Sequence, residues 1–322
     1  MTATVGASKS YDLSGGALRE DLENMIYDIS PMETNFMSNI GRSRVESTTH
    51  EWLTDALTAA AHNANIEGDA FSAAARSHPS RLKNYTQIAR KDIEVTGTAQ
   101  AVNNAGMAKL MAYHTARAAK EIKRDMEKDL LSDEPASAGL STAPRVSAGA
   151  EAWIYAPNHI GINQTGATTT APVSGFATSP VTDGSATAFT EAGLKSMLQK
   201  AWSAGGTTDT ILVGASLYNS ISLFTGIATR YRNVESRSQA QIIGAADVYV
   251  SAYGSHRIVL NRYMRTTTVF CFELSTWSVG YLRPFAVEPI AQVGDAVRNM
   301  LRAEYTLVAK SPRANTKATN MT

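Results

Sequence analysis

Apolar and polar positions alternate in the C-terminal part of the chain as they do in β-strands. In NMLRAEYTLVAK (299–310), one face carries Leu301, Ala303, Tyr305 and Leu307, and the other carries Arg302, Glu304 and Thr306. Three further segments favour strand: DVYVSAYGSHRIVLN, with a hairpin turning at Gly254, then TTVFCFEL and WSVGYLRPFAVEPI. This third of the chain is therefore predicted to be mainly β-sheet.

A different spacing, with apolar residues three or four apart, predicts one long helix from Asn104 to Leu131. Asn103 or Asn104 can cap its start. The apolar stripe consists of Met107, Met111, His114, Ala118, Ile122, Met126 and Leu130. The opposite, solvent-facing side is predicted to carry Lys109, Lys120, Lys123, Arg124, Glu127 and Lys128.

A compact helix–strand–helix unit is predicted after this helix and a long linker. Residues 132–189 are rich in Ser, Thr, Ala, Gly and Pro, which favours irregular loops with short strands. Thr190 is placed to cap a helix that ends at Gly205 and Gly206. The segment TILVG predicts a short buried strand, and Ser216 is predicted to open and cap a second helix.

The N-terminal third predicts an arm followed by a ribbon. Leu18–Ile29 has the spacing of a short amphipathic helix, and Pro31 ends it. Thr48–Leu57 and Leu82–Val95 favour strand, and the polar connector between them predicts a two-stranded ribbon with a mobile tip. A lone ribbon is marginally stable in water, so this one is expected to rest on a neighbouring subunit. The whole chain is predicted to be α+β.

Composition and charge narrow the class of protein. The chain has 322 residues, of which 43% are hydrophobic and 18% charged, as in a globular protein. The net charge of +1 argues against a protein that grips nucleic acid through its phosphates. One cysteine excludes an intrachain disulfide. No signal peptide is expected, and no apolar run reaches the roughly 18 residues of a membrane helix.

Candidate catalytic groups are few. GASLY (214–218) resembles the setting of a hydrolase nucleophile, but Tyr218 stands where that motif requires a second glycine. No pair among the six histidines has the i,i+4 spacing of a helical zinc site, and His114 is predicted to be a core residue. Cys271 is predicted to be a small buried hydrophobe. The sequence therefore predicts no catalytic residue, cofactor or metal.

Four segments resemble the major capsid proteins of tailed bacteriophages with the Hong Kong 97-type fold. They are NYTQIARKDIEVTGTAQAV, DTILVGASLYNSISLF, VYVSAYGSHRIVLNRYM and YLRPFAVEPIAQVGDAVRNMLRAEYTLVAKSPRA, spread over most of the chain. The resemblance implies a structural, non-enzymatic subunit of the icosahedral shell around a double-stranded DNA genome. An encapsulin-like cellular nanocompartment shell has the same fold and is the alternative. A soluble enzyme would need a cluster of perturbed titratable groups in a pocket.

The resemblance also implies a division of the chain. The parts are an N-terminal arm (1–48), an extended loop (49–95), a peripheral domain (96–186) with spine helix 104–131, an axial domain (187–265), and return strands with a C-terminal tail (266–322). The implied partners are copies of the chain in hexamers and pentamers, a separate scaffolding protein, a portal and a decoration protein. The implied location is the virion capsid, assembled in the host cytoplasm, enclosing DNA without sequence-specific binding or a membrane.

The arm and ribbon contain apolar residues that are expected to have little to pack against locally, and therefore to contact a neighbouring subunit: Phe36, Trp52, Leu57 and Phe71. The basic candidates for such contacts are Arg76, Arg81, Lys83, Arg230, Arg232 and Arg237. For the last three, phosphate and the acidic side chains of an adjacent subunit are equally open as partners. Some relatives cross-link a loop lysine to a neighbour, but Lys83 is not expected to do so, because no acid-rich pocket is evident around it.

Overall fold

A computed structural model describes residues 33–68, 70, 78–102, 109–224, 248–292 and 294–322. This part of the chain forms six α-helices and eleven β-strands. The helices are α1 Asn35–Asn39, α2 Gly97–Ala101, α3 Leu110–Leu130, α4 Ala150–Trp153, α5 Glu191–Ser203 and α6 Ala215–Ser222. The strands are β1 Gly41–Arg44, β2 Thr49–Thr54, β3 Ser80–Tyr85, β4 Gln87–Thr96, β5 Thr210–Val213, β6 Val248–Ser251, β7 Gly254–Leu260, β8 Val269–Phe272, β9 Trp277–Ile290, β10 Ala296–Ala309 and β11 Thr316–Ala318.

The first sheet has four strands in the order β1-β9-β10-β4. The two long strands β9 and β10 are antiparallel, β4 pairs antiparallel with the other side of β10, and β1 adds to β9 in parallel. The strands predicted at 277–290 and 299–310 are confirmed. Helix α3 covers one face of the sheet, where Ala118 and Ile122 meet Ile93, Val95 and Leu301.

The opposite face of β10, predicted to be polar, is buried as well. Glu304 and Thr306 are as inaccessible as Ala303 and Tyr305 on the first face. The segment around Ser147 covers them, and the Ser147 hydroxyl accepts a hydrogen bond from the Leu307 amide at 3.1 Å. The predicted alternation of β10 is therefore confirmed, but its polar face packs against protein instead of facing water.

The second sheet has five strands in the order β11-β8-β5-β7-β6, with α5 and α6 packed against it. The predicted helix–strand–helix unit and the hairpin are confirmed, with Gly254 at a φ of 133°. The expectation that the strands from 266 to 310 return to the peripheral domain is wrong for β8. Strand β8 pairs with β5, and β11 of the expected C-terminal tail pairs with β8, because their apolar faces complete the second core.

The ribbon consists of β2 and β3, paired antiparallel from Thr49↔Tyr85 to Thr54↔Ser80. The prediction of one strand from Leu82 to Val95 is wrong. The chain leaves the ribbon at Thr86, whose hydroxyl donates to Glu304 at 2.8 Å, and β4 then joins the four-stranded sheet. Residues beyond the ribbon up to 66 have no regular secondary structure, and the predicted arm helix Leu18–Ile29 lies outside the described residues.

The predicted long helix is confirmed as α3, and residues 103–108 at its predicted start lie outside the described residues. Its stripe members Ala118, Ile122, Met126 and Leu130 are buried as predicted. Glu127, assigned to the solvent side, is also fully buried. The helix pattern missed this burial because α1, far away in sequence, covers that part of the helix.

The ends of the two helices beside β5 differ in how they are capped. Thr190 accepts from the Gly193 amide at 3.2 Å, which confirms the predicted cap of α5. The cap assigned to Ser216 is wrong, because α6 begins one residue earlier and Gly214 is its N-cap. The Ser216 hydroxyl instead donates to the Thr266 carbonyl at 3.3 Å. The predicted irregular region 132–189 is confirmed, apart from the four-residue helix α4.

Phe36 offers a direct stability test of the packing between the two sheets. It is buried against Phe272 and Trp277, so Phe36→Ala removes a core aromatic ring and should lower the free energy of unfolding by about 3–5 kcal/mol. Urea denaturation of the unassembled chain measures this change. The matched control is Leu57→Ala, at a residue 98% exposed, which should change stability by less than about 0.5 kcal/mol. Equal effects of the two substitutions would contradict the assignment of Phe36 to the core.

Candidate assembly site

The ribbon is fixed at its base and exposed at its far end. The Asn84 amide, fully buried, donates to the Leu307 carbonyl of β10 at 2.8 Å and so ties β3 to the sheet. Toward the tip, Leu53, Leu57 and Ile66 are 67%, 98% and 81% exposed. Three large apolar side chains this exposed along one excursion of the chain indicate a candidate surface for contact with another protein.

The charged candidates on the ribbon pair with each other. Glu51 on β2 accepts from Arg81 at 3.0 Å and from Lys83 at 3.1 Å, both across the strand pair on β3. Lys83, then Arg81, lowers the pKa of Glu51. The Lys83 ammonium also lies 5.8 Å from the centre of the Phe176 ring. Within one chain, these two basic side chains therefore stabilise the ribbon itself.

Two of the apolar contact candidates pack within their own chain. Phe36 is 1% exposed, and its ring centre lies 4.9 Å from that of Phe272, so the expectation that it has little to pack against is wrong. Trp52 is half-buried, its ring centre lies 5.4 Å from that of Trp153 with the rings tilted by 49°, and its Nε1 donates to the Ala309 carbonyl at 2.9 Å. Leu57 alone of the three described apolar candidates is fully accessible. The candidates Phe71, Arg76, Arg230, Arg232 and Arg237 lie outside the described residues.

A partly buried cluster of charges joins the irregular region to the second sheet. Arg265, just before β8, donates to Glu151 of α4 at 2.9 Å and to Asp133 at 3.2 Å, and it also binds Asp183. Lys317 of β11 is fully buried, donates to Thr169 at 2.8 Å and also binds the Glu151 carbonyl. Segments with no regular pairing of their own are thereby held together by side chains.

Burial shifts the titration of this cluster. Desolvation raises the pKa of Glu151 to about 7, against the opposing effects of Arg265 and Lys317. Desolvation likewise lowers the pKa of Lys317 to about 7, against the attraction of Glu151. His159 lies between Thr319 (2.9 Å) and Thr169 (3.0 Å), and burial, then the Lys317 charge, lowers its pKa to about 3. The imidazole is therefore neutral in the folded protein near pH 7.

A second buried charge cluster lies on β10. Glu304 is 3% exposed and accepts from Arg145 and from Arg283, both at 2.7 Å. The carboxylate thus has two guanidinium partners, which a buried charge needs in order to be tolerated. Both clusters combine residues from distant parts of the chain, and their function in this geometry is to hold the fold together.

The residues singled out for chemistry do not form a catalytic arrangement. Burial raises the pKa of the Cys271 thiol to about 12, so it is protonated and inaccessible, as the sequence predicted. The Ser216 hydroxyl bonds to a backbone carbonyl. In the described part of the chain, no group of three or more His, Cys, Asp or Glu side chains could hold a metal ion. No helix within those same residues is long and apolar enough to cross a membrane.

Sequence reasoning missed Glu127, Glu151 and Lys317 as buried charges, and Arg265 as their half-buried partner in the second sheet's cluster. Glu127 lies among lysines on a helical wheel, and Lys317 stands in the polar string NTKATN. Neither carries a local signal of burial, because the groups that cover them come from elsewhere in the chain.

Solved structures with the same architecture define the class of protein. The capsid of cyanophage A-1(L) matches with a TM-score of 0.69 at 12% identity, over 94% of this chain and 97% of that one. The capsid of the native GTA particle matches with a TM-score of 0.63 at 10% identity, over 98% and 99%. The long β9–β10 pair, the spine helix and the second sheet with its two helices therefore form a Hong Kong 97-type capsid fold.

Sequence comparison gives the family. The sequence profile described as SU10 major capsid protein matches residues 2–322, and the chain belongs to that family. The major capsid protein of Escherichia phage Phieco32 is 28% identical over 343 aligned positions, covering 95% of this chain and 94% of the relative. The chain is thus a major capsid protein of a tailed phage, a structural subunit of the icosahedral shell of the virion. The nanocompartment alternative is not favoured.

His159 gives a pH-dependent test of the buried cluster. Its pKa is depressed in the folded state, so its contribution to stability is present above about pH 6.5 and is lost as the pH falls toward 3. The stability of the native chain relative to His159→Gln should therefore fall by about 3 kcal/mol between pH 7 and pH 4.

Urea denaturation at several pH values measures this difference. His62→Gln is the control, since His62 is exposed in the segment after the ribbon. Parallel pH profiles for the native chain and His159→Gln would show that His159 does not titrate as the burial requires.

Proposed function

We propose that the chain assembles into hexamers and pentamers of the shell and that the ribbon is its principal contact with a neighbouring subunit. One observation carries this proposal: Leu53 on the ribbon and Leu57 and Ile66 in the segment beyond it are exposed, while the base of the ribbon is held in its own chain. An ordinary interface of roughly 1,600 Å², repeated several times per subunit, would make a cooperative shell from individually weak contacts.

The proposed parts follow the strand pairing. The extended loop is assigned to residues 49–85 in place of 49–95, since β4 belongs to the four-stranded sheet. The peripheral domain comprises that sheet with α3, and the axial domain comprises the five-stranded sheet with α5 and α6. Residues 1–48 remain the N-terminal arm, although β1 pairs with β9 of the same chain.

The proposal extends to the contents and partners of the shell. A net charge of +1 suits a shell that encloses DNA without binding it tightly. Each added contact to a phosphate would increase the salt-dependent affinity for DNA. Family membership supports a purely structural role without enzymatic activity. A separate scaffolding protein, a portal and a decoration protein stay predicted partners.

Electron microscopy of the purified chain, expressed alone and with a candidate scaffolding protein, tests the proposal. Shells of uniform curvature, or rings of five and six subunits, are the expected result. A monodisperse monomer or dimer under both conditions would contradict it. Closed shells that form from the chain alone and retain a co-expressed cargo would reopen the nanocompartment alternative.

Leu57 tests the ribbon itself. Leu57→Asp places a charge on the exposed end of the ribbon and should reduce shell yield at least tenfold, because burying an unpaired carboxylate at an interface costs several kcal/mol. The conservative Leu57→Met should assemble normally. Sedimentation velocity measures the assembled fraction, and urea denaturation of the unassembled variants should give stabilities equal to that of the native chain. Normal assembly of Leu57→Asp would exclude this residue from the interface.

A further inference from the structure

Glu127 of α3 holds the segment that leads into the N-terminal arm. Its Oε1 accepts from the Phe36 amide at 2.7 Å and from the Asn261 side-chain amide at 2.6 Å. Its Oε2 accepts from the Met37 amide at 2.8 Å. These four residues are called the Glu127 clasp below. They come from three places in the chain: the spine helix, α1, and the loop that follows β7.

The clasp contains a buried carboxylate whose partners are all neutral. No Lys, Arg or His of the described residues makes an ion pair with Glu127, in contrast to Glu304 and Glu151. Burial raises the pKa of Glu127, and the three hydrogen bonds oppose that rise. A buried charge held only by directional N–H donors depends on all of them staying in place.

The donors are themselves positioned by further bonds. The Asn261 side-chain oxygen accepts from the Tyr263 amide at 2.8 Å, which turns its amide group toward Glu127. Asn35, one residue before Phe36, donates to the Leu260 carbonyl at the end of β7 at 2.6 Å. The arm segment is therefore bonded to the axial sheet and to the spine helix at the same point.

Helix α1 depends on this carboxylate for its first turn. The amides of Phe36 and Met37 have no intrahelical acceptor, as is usual for the first residues of a helix, and Thr34 makes no side-chain cap to them. The same turn places the Phe36 ring against Phe272 of the second sheet and Trp277 of the first. The position of α1 and the packing between the two sheets therefore depend on each other.

We propose that the Glu127 clasp couples the N-terminal arm to the relative position of the two sheets. With the clasp closed, α1 lies between the sheets and next to the spine helix. Loss of any one donor opens the clasp, withdraws Phe36 and frees the two sheets to shift against each other. The arm and the axial sheet then respond together to a displacement of either one, as in a two-state element.

Hydrogen exchange of the full unassembled chain, followed by mass spectrometry, tests this coupling without requiring a shell. The variant Glu127→Gln keeps the shape but replaces one acceptor oxygen with an NH₂ group that cannot accept from an amide. Exchange of the peptide covering residues 33–40 should become about tenfold faster or more, because hydrogen bonds to a charged group are lost. The peptide covering 299–309 reports global unfolding, so the change in its exchange rate measures how far the substitution lowers overall stability.

Asn261→Ala supplies the decisive measurement, because Asn261 lies 225 residues from Phe36 in sequence and does not bond to it. Coupling requires that Asn261→Ala also speeds exchange at 33–40, and that adding it to Glu127→Gln has little further effect. The matched control is Asp129→Asn on the same helix, whose carboxylate bonds to Tyr305 and Gln87 and should leave 33–40 unchanged. Additive effects of the two clasp variants, or an Asn261→Ala effect confined to its own loop, would overturn the proposal.

Discussion

The rest of the structure depends on residues 303–309 of strand β10 being buried on both faces. The strand pairs with β4 and β9, one face lies under the spine helix, and the other lies under the segment around Ser147. Burial of this half of the strand requires internal partners for its polar groups. Glu304 does so with two arginines, and Leu307 offers its carbonyl to Asn84 and its amide to Ser147. The ribbon base and part of the irregular region are thus positioned by the needs of one strand.

The irregular region between α3 and α5 is ordered by side chains in place of backbone ladders. Most of its backbone pairing is limited to isolated bridges, so the charged cluster around Arg265 provides much of the cross-linking. Charges are suited to this role because their geometry is directional, while an apolar patch would allow several registers. Within one chain, backbone hydrogen bonds therefore hold the sheets together, and side-chain ion pairs hold the irregular region.

The sequence predicted the elements well wherever one period dominated. The strands at 277–290 and 296–309, the spine helix and the Thr190 cap all follow from local patterns that tertiary contacts reinforce. It failed where a residue's environment is made by distant segments. Glu127 has the helical position of a solvated residue, but α1 and the loop after β7 cover it. Strand β8 reads as a strand from its own residues, but which sheet it joins is decided by β5 and β11. Phe36 of α1 and Trp52 of the ribbon were predicted to contact a neighbouring subunit. Both instead pack against aromatic rings of their own chain.

The pairing of β4 with β10 has a consequence for how the chain reaches its fold. Residues 87–96 can acquire their ladder only after residues 296–305 exist, and β1 waits in the same way for β9. Contacts this far apart in sequence give a high contact order, which slows folding. During synthesis on the ribosome, β1 and β4 must therefore remain without their sheet partners until almost the whole polypeptide has emerged. A cell making hundreds of copies at once would hold many such half-finished chains with open strand edges, a situation that favours chaperone assistance over spontaneous folding.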